Sequence, residues 1–105
     1  MKELKKYIEE VTMKNKGISI NNNYEIPKNG YMVAIKNCGD SIEDMLKVEL
    51  KENEYYGTWL DVEDGNKLYC DISLNVENKE EALKKAKELN ELAIFDVSTF
   101  TSIYL

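Results

Sequence analysis

The chain contains no histidine among its 105 residues. Histidine is the commonest general base at neutral pH and the commonest metal ligand in proteins, so its absence excludes most catalytic triads and most zinc sites. A catalyst in this chain would have to use carboxylates, tyrosines, lysines or thiols, and none of these stands in a recognisable catalytic motif. We therefore predict that the protein is not an enzyme and that it binds no metal and no other cofactor.

Long apolar stretches are also lacking, and the N-terminus runs directly into a mixed-charge pattern, which predicts neither a signal peptide nor a membrane span. The two cysteines, Cys38 and Cys70, are too far apart for a redox pair of the CxxC type or for a zinc-binding spacing. We expect reduced thiols and a cytoplasmic protein. A single disulfide is the alternative if the fold brings the two residues together.

Basic residues are outnumbered, with fourteen lysines and arginines against twenty aspartates and glutamates, which leaves a formal net charge of −6. A nucleic-acid backbone repels such a surface unless the basic residues form a separate patch. Here the lysines near both ends of the chain are interleaved with glutamates. The composition therefore disfavours direct binding of nucleic acid.

The length suits one α+β domain over residues 1–105. Apolar residues at helical spacing predict two or three packed helices, over 2–14, 41–50 and 79–90, with Ser41 and Asn78 as N-caps and Asn15 or Gly17 ending the first. Alternating or continuous apolar runs predict a mainly antiparallel sheet. Its strands are expected at 18–20, 31–36, 55–62, 67–76 and 92–97, with a last short strand at the C-terminus.

The clearest predicted element is a hairpin of strands 55–62 and 67–76 around the turn Asp64-Gly65. A two-residue turn there places Trp59 opposite Cys70, in the core, and leaves Tyr56 and Tyr69 on the outer face. That outer face is too apolar to be comfortably solvated, so a helix or a partner should cover it. A helix between strands 67–76 and 92–97 predicts that these two run parallel.

Tyrosine is unusually frequent, with seven in the chain, and it supplies contact area with a hydrogen-bonding tip at low entropic cost. Several carboxylates also gather at the hairpin tip. A divalent metal is one explanation of them, but acidic residues favour such turns for conformational reasons. We predict a partner-binding surface on the hairpin, consisting of Tyr56, Asp61, Glu63, Asp64, Tyr69 and Asp71.

Four segments resemble a loose group of short proteins carried by bacteriophages and mobile elements. They are Gly-Tyr-Met-Val at 30–33, Tyr-Gly-Thr-Trp-Leu-Asp at 56–61, Leu-Tyr-Cys-Asp-Ile-Ser at 68–73 and Leu-Ala-Ile-Phe-Asp at 92–96. The resemblance covers about residues 29–97 and implies a setting rather than an activity. Small acidic phage proteins often occupy a host machine, such as a CRISPR effector or a restriction nuclease, and present carboxylates where nucleic acid would lie.

Charge, tyrosine content and this resemblance together predict a non-enzymatic protein-binding module. Its most concrete form is an anti-CRISPR or anti-restriction inhibitor that binds a host protein through an acidic surface. One alternative is a structural homodimer or an accessory protein of the mobile element, and the other is a small enzyme or nucleotide-binding domain that uses carboxylates around Asp61 and Asp71.

Overall fold

A computed structural model describes residues 3–105 of the chain. In chain order these residues form α1 (Leu4–Asn15), β1 (Gly17–Ile20), β2 (Tyr31–Asn37), α2 (Ile42–Leu46), β3 (Glu54–Asp61), β4 (Lys67–Val76), α3 (Lys79–Glu88), β5 (Ala93–Asp96) and β6 (Thr101–Tyr104). The predicted α+β class and antiparallel sheet are confirmed. No helix within residues 3–105 is long and apolar enough to cross a membrane.

The strands form one sheet in the order β1-β3-β4-β2-β5-β6, and every neighbouring pair is antiparallel. The elements from β2 to β5 follow the β-α-β-β-α-β sequence of the ferredoxin-like motif, and β1 and β6 extend it at the two edges. Strand β5 runs in the same direction as β4, as predicted. The two are not neighbours, because β2 lies between them and α3 crosses over it.

The helices pack on one face of the sheet. One buried cluster joins α1 and α2 to β1, β3 and β4: Ile8, Ile20, Ile42, Met45, Tyr56, Cys70 and Ile72. A second joins α3 to β2 and β5: Val33, Ala82, Ala86 and Ile94. Because Val33 pairs with Leu74, which points to the same side of β4 as Ile72, both clusters lie on the same face. The opposite face is left without a helix across the described part of the chain.

The register of the hairpin differs from the prediction by one residue. Trp59 pairs with Tyr69 rather than with Cys70, which pairs with Thr58. The connection spans residues 62–66 and takes Gly65 and Asn66 into the left-handed region, with φ of 66° and 62°. Its odd length shifts the pairing relative to a two-residue turn, and a shift of one residue exchanges the two faces of a strand.

Tyr56 and Trp59 therefore exchange the places predicted for them. Tyr56 is 2% exposed in the core, where its hydroxyl donates a hydrogen bond to the Val48 carbonyl at 2.8 Å. Trp59 is 57% exposed on the face without helices. The prediction that Tyr56 is a contact residue is wrong for this reason, since its side chain is enclosed by the protein itself.

Helix ends follow the predicted caps in part. Ser41 and Asn78 accept hydrogen bonds from the backbone N–H groups of Asp44 and Glu81, at 3.1 and 3.0 Å, as predicted. Helix α1 ends through Lys16 rather than through Asn15 or Gly17, because Lys16 takes the left-handed conformation with φ of 70°. The predicted start of α1 at residue 2 lies outside the described residues.

Helix α2 is shorter than the predicted span 41–50. It ends at Leu46, where the next turn tightens as the N–H groups of Lys47 and Val48 bond to the carbonyls of Asp44 and Met45. The carbonyl of Val48 then accepts the hydroxyl of Tyr56, so the chain that follows α2 is tied to the core of the sheet.

Candidate functional site

The face without helices, called the open face below, is defined on the hairpin by three directly opposed pairs. These pairs are Trp59 with Tyr69, Gly57 with Asp71, and Tyr55 with Ser73. Residues opposed across an antiparallel pair point to the same side, and so do residues two apart along a strand. All six therefore share one surface.

Two exposed aromatic side chains form one end of the open face. Trp59 is 57% exposed and Tyr69 is 38% exposed, and they lie directly opposite each other on β3 and β4. The ammonium group of Lys67 lies 5.0 Å from the centre of the Tyr69 ring, a cation–π distance. This pair is an exposed aromatic platform of the kind that anchors protein contacts.

Asp71 lies beside this platform, and its position depends on Gly57. A Cβ atom on Gly57 would lie 2.5 Å from the Asp71 Oδ1 atom, so the carboxylate occupies the space that a side chain would need. The Ser73 hydroxyl donates a hydrogen bond to the same oxygen at 2.7 Å. Gly57, which lies opposite, leaves room for the Asp71 carboxylate, and Ser73, two residues along β4, bonds to it. Together they hold the carboxylate against the sheet.

Burial raises the pKa of Asp71 from 3.8 to about 6. The main cause is loss of hydration of the carboxylate; the hydrogen bond from Ser73 lowers the pKa, and the charge of Glu91 raises it. An ionised carboxylate whose pKa is raised by burial lowers the free energy of unfolding at neutral pH. Groups with strongly shifted pKa values occur disproportionately at functional sites.

Small side chains lie beside Asp71 on the β3 side, whereas Asn37 of β2 is directly opposite it. Gly57 is opposed on its other side by Ser19 of β1, and Ser73 by Ala34 of β2. The middle of the open face is therefore low, with the Trp59–Tyr69 pair on one side of it and Tyr55 on the other. We call this shallow depression, with Asp71 at its floor, the recess.

The carboxylates of the hairpin tip adjoin the open face. Asp61 is turned into its own loop, where its Oδ1 atom accepts the N–H groups of Glu63 and Asp64 at 3.1 and 3.3 Å. Glu63 and Asp64 are exposed. Asp61 thus stabilises the turn, whereas the other two present charge to the solvent.

Of the six predicted contact residues, Asp61, Tyr69 and Asp71 lie on the open face, Glu63 and Asp64 are exposed in the connecting loop, and Tyr56 is buried in the core. Sequence reasoning missed Trp59, the most exposed aromatic residue of the hairpin, because the predicted register buried it. The missed role of Gly57 had one sequence signal, since glycine inside a strand often marks a place where another group approaches closely.

The structure separates the two carboxylates that the enzymatic alternative uses. Asp61 and Asp71 project from rows four residues apart on the hairpin, roughly 13 Å at the usual rise of a strand, so they do not form a carboxylate pair. Within residues 3–105 no group of three or more acidic or thiol side chains is arranged to hold a metal ion.

Cys38 and Cys70 do come together, since the Cys38 N–H donates to the Cys70 carbonyl at 2.8 Å, but both are free thiols. Burial is the main reason that the pKa of each is raised, to about 11 for Cys70. Both side chains are therefore protonated at neutral pH and are weak nucleophiles and weak metal ligands.

A second exposed apolar area lies at the far edge of the sheet. Leu92 is 81% exposed, Phe100 80% and Tyr104 77%. Tyr104 is the last residue of the edge strand β6, Phe100 directly precedes that strand, and Leu92 directly precedes its neighbour β5. The ring of Phe100 meets that of Phe95 edge-on at 6.3 Å. An edge strand with exposed apolar neighbours can pair with another chain.

Comparison with known proteins does not add a function. No family model matches the chain, and neither a curated protein nor a solved structure matches it significantly.

Proposed function

We propose that this chain is a non-enzymatic protein-binding module that uses the open face of its hairpin. The observation that carries the proposal is the exposed pair Trp59 and Tyr69, fixed on two strands of a sheet and bordered by the acidic tip at Glu63 and Asp64. Aromatic residues held rigidly on strands lose little conformational entropy on binding, and contact anchors are enriched in tryptophan and tyrosine.

The partner that fits this surface is a protein with a basic patch. The chain carries a net charge of −6, and its tip carboxylates follow in the connecting loop after the row of Asp61 and Lys67, which adjoins the aromatic platform. Complementary charge speeds encounter, and the aromatic residues slow dissociation. Basic protein surfaces with room for stacked rings are typical of nucleic-acid-binding sites, so an acidic module can occupy such a site in place of nucleic acid.

The most concrete form of this proposal is an inhibitor of a host nucleic-acid-targeting defence, such as a CRISPR effector or a restriction nuclease. What supports it is the resemblance of residues 29–97 to phage and mobile-element proteins, together with the acidic surface. In this form the module binds the enzyme directly and competes with its nucleic acid.

The test isolates a partner from a bacterial lysate with the tagged chain and then measures the purified pair. We expect binding to weaken as salt rises and to be displaced by competing DNA, because exposed charges are screened over about 10 Å at 0.1 M salt. The double variant Glu63→Gln/Asp64→Asn should slow association. Asp61 is left unchanged because it stabilises the turn.

The variant Trp59→Ala/Tyr69→Ala should speed dissociation at least tenfold, an effect of about 1.4 kcal/mol or more. Tyr104→Ala is the control, since it removes a still more exposed aromatic residue, 77% exposed, from the far edge. A partner that binds the double variant as tightly as the original chain, and that DNA does not displace, would contradict the proposal.

A homodimer through β6 is a second candidate, favoured by the exposed Tyr104 at the end of that edge strand and by Phe100 directly before it. Two copies of β6 could pair in antiparallel fashion about a twofold axis, which satisfies the free edge of each sheet. Sedimentation equilibrium tests it: a dimer that dissociates in Ser102→Pro, which removes a backbone donor of β6 that points away from β5, supports pairing through this strand. A monomer at all concentrations excludes it.

A further inference from the structure

The recess on the open face combines a fixed carboxylate with aromatic walls. The Gly57–Asp71 pair forms its floor, and the Trp59–Tyr69 pair rises beside it on the next outward-facing row of the same two strands. Rows that face the same way lie about 7 Å apart along a strand, and opposed residues about 5 Å apart across it. A flat group of three or four heavy atoms can therefore contact a ring and the carboxylate together.

We propose that this recess receives one arginine side chain of the protein partner, with its guanidinium stacked on Trp59 or Tyr69 and hydrogen-bonded to Asp71. This inference rests on the proposed function, because it names the group that the open face would recognise. It makes Asp71 the specificity-determining residue of the surface and leaves the tip carboxylates to attract the partner.

The first support is that Asp71 has no basic partner within the described chain. Its hydrogen bond comes from the neutral Ser73 hydroxyl, and the ion pairs within residues 3–105 join Lys5 to Glu43 and Lys47 to Asp44. A half-buried carboxylate without a counter-ion gains most from a cation that arrives with a partner. All fourteen basic residues of the chain are lysines, so no guanidinium of its own can fill the recess.

The second support is the chemistry of the walls. A guanidinium is planar, stacks on aromatic rings and donates to a carboxylate through two parallel N–H groups, whereas an ammonium is a compact, strongly hydrated charge. Lys67 already lies over the Tyr69 ring at 5.0 Å, so that ring accepts a cation at its face. Asp71, on the next outward-facing row of the hairpin, adds the oxygen acceptors that arginine needs.

The third support is that a carboxylate occupies this position although it lowers the stability of the fold. Burial raises the pKa of Asp71 to about 6, so the ionised form that predominates at neutral pH destabilises the fold. An asparagine would accept the same hydrogen bond from Ser73 without this cost. Destabilising charges that persist on a surface are commonly those that binding uses.

The experiment titrates the purified 105-residue chain at pH 7.5 with N-acetyl-arginine methylamide and follows the fluorescence of Trp59, the single tryptophan of this sequence. The citrulline analogue, which has nearly the same shape and no charge, is the control ligand. We expect saturable binding of the arginine probe with a dissociation constant of about 1–10 mM and at least tenfold weaker binding of citrulline.

Two matched variants assign the effect to the recess. Asp71→Asn should weaken binding of the arginine probe about tenfold, whereas Asp64→Asn, which removes the same charge from the exposed tip, should change it less than twofold. Circular dichroism of each variant shows whether it is folded. Absence of saturation, equal binding of citrulline, or a larger loss in Asp64→Asn than in Asp71→Asn would overturn the inference.

The outcome can be separated from that of the proposed function. If an isolated partner loses affinity for the variant Trp59→Ala/Tyr69→Ala but binds Asp71→Asn unchanged, the open face binds a partner without using the recess for arginine. If the partner is indifferent to both variants, the open face is not the binding surface and the proposed function fails with it.

Discussion

Replacement of Asp71 by asparagine should stabilise the protein, and the gain should depend on pH. The carboxylate titrates at about 6 in the folded protein and at 3.8 without burial, a difference of about two pKa units. At 1.36 kcal/mol per unit, ionised Asp71 therefore lowers the free energy of unfolding by about 3 kcal/mol. Asparagine keeps the oxygen that accepts the Ser73 hydroxyl and removes only the charge.

Whether ionisation of Asp71 stabilises or destabilises the protein depends on which state, folded or unfolded, binds the proton more tightly. Because the folded pKa is raised, the folded protein binds a proton that the unfolded chain releases, so the penalty is absent below pH 3.8 and grows until about pH 6. Above that pH it is fully present. The original chain and Asp71→Asn should thus be nearly equal in stability at pH 4 and differ by about 2–3 kcal/mol at pH 8.

Urea unfolding followed by far-ultraviolet circular dichroism at pH 4, 6 and 8 measures this difference. The difference between the two curves reports the effect of the Asp71 charge, including its interaction with Glu91. Asp64→Asn is the matched control and should be within about 0.5 kcal/mol of the original chain at every pH, because Asp64 is exposed. Equal stabilities of the original chain and Asp71→Asn at pH 8 would show that the carboxylate is hydrated and would refute the reasoning.

Three further outcomes follow from the contacts of the core. Tyr56→Phe should lower the free energy of unfolding by about 1–2 kcal/mol in urea titrations, since it leaves the Val48 carbonyl without the hydroxyl; no loss would mean that water replaces it. Asn78→Ala should cost about 1 kcal/mol by removing the N-cap of α3, and Asn78→Asp, which keeps the cap, should not. Cys38 and Cys70 should react with iodoacetamide at neutral pH much more slowly than glutathione, because burial raises both pKa values; rapid labelling of the folded protein would contradict this.

Local patterns of the sequence determined most of the elements. Ser41 and Asn78 are followed by helices because a side-chain oxygen there satisfies a free N–H of the first turn, and that interaction needs no tertiary contact. The strands at β2, β4 and β5 were equally readable from runs of apolar residues. Composition alone set the acidic surface and the lack of histidine, so the classes of chemistry open to the chain were limited before any fold was known.

The tertiary structure decided which residues meet. The length of the connection at residues 62–66 sets the hairpin register, and one residue of shift moved Tyr56 into the core and Trp59 onto the open face. A period-two pattern is compatible with either register when both faces of a strand carry apolar residues, as β3 does, so only the contact with the helices selects one.

Part of the candidate site could be predicted from the sequence, and the rest depended on the tertiary structure. Acidic and aromatic residues on the hairpin were predictable from composition and turn chemistry, and the proposed binding surface lies on the same element. The recess was not predictable, because it depends on Gly57 lying directly opposite Asp71 and on Ser73 turning its hydroxyl to the same carboxylate. Burial of that carboxylate, and hence its raised pKa, arises from how neighbouring strands pack around it, which no local pattern of the sequence encodes.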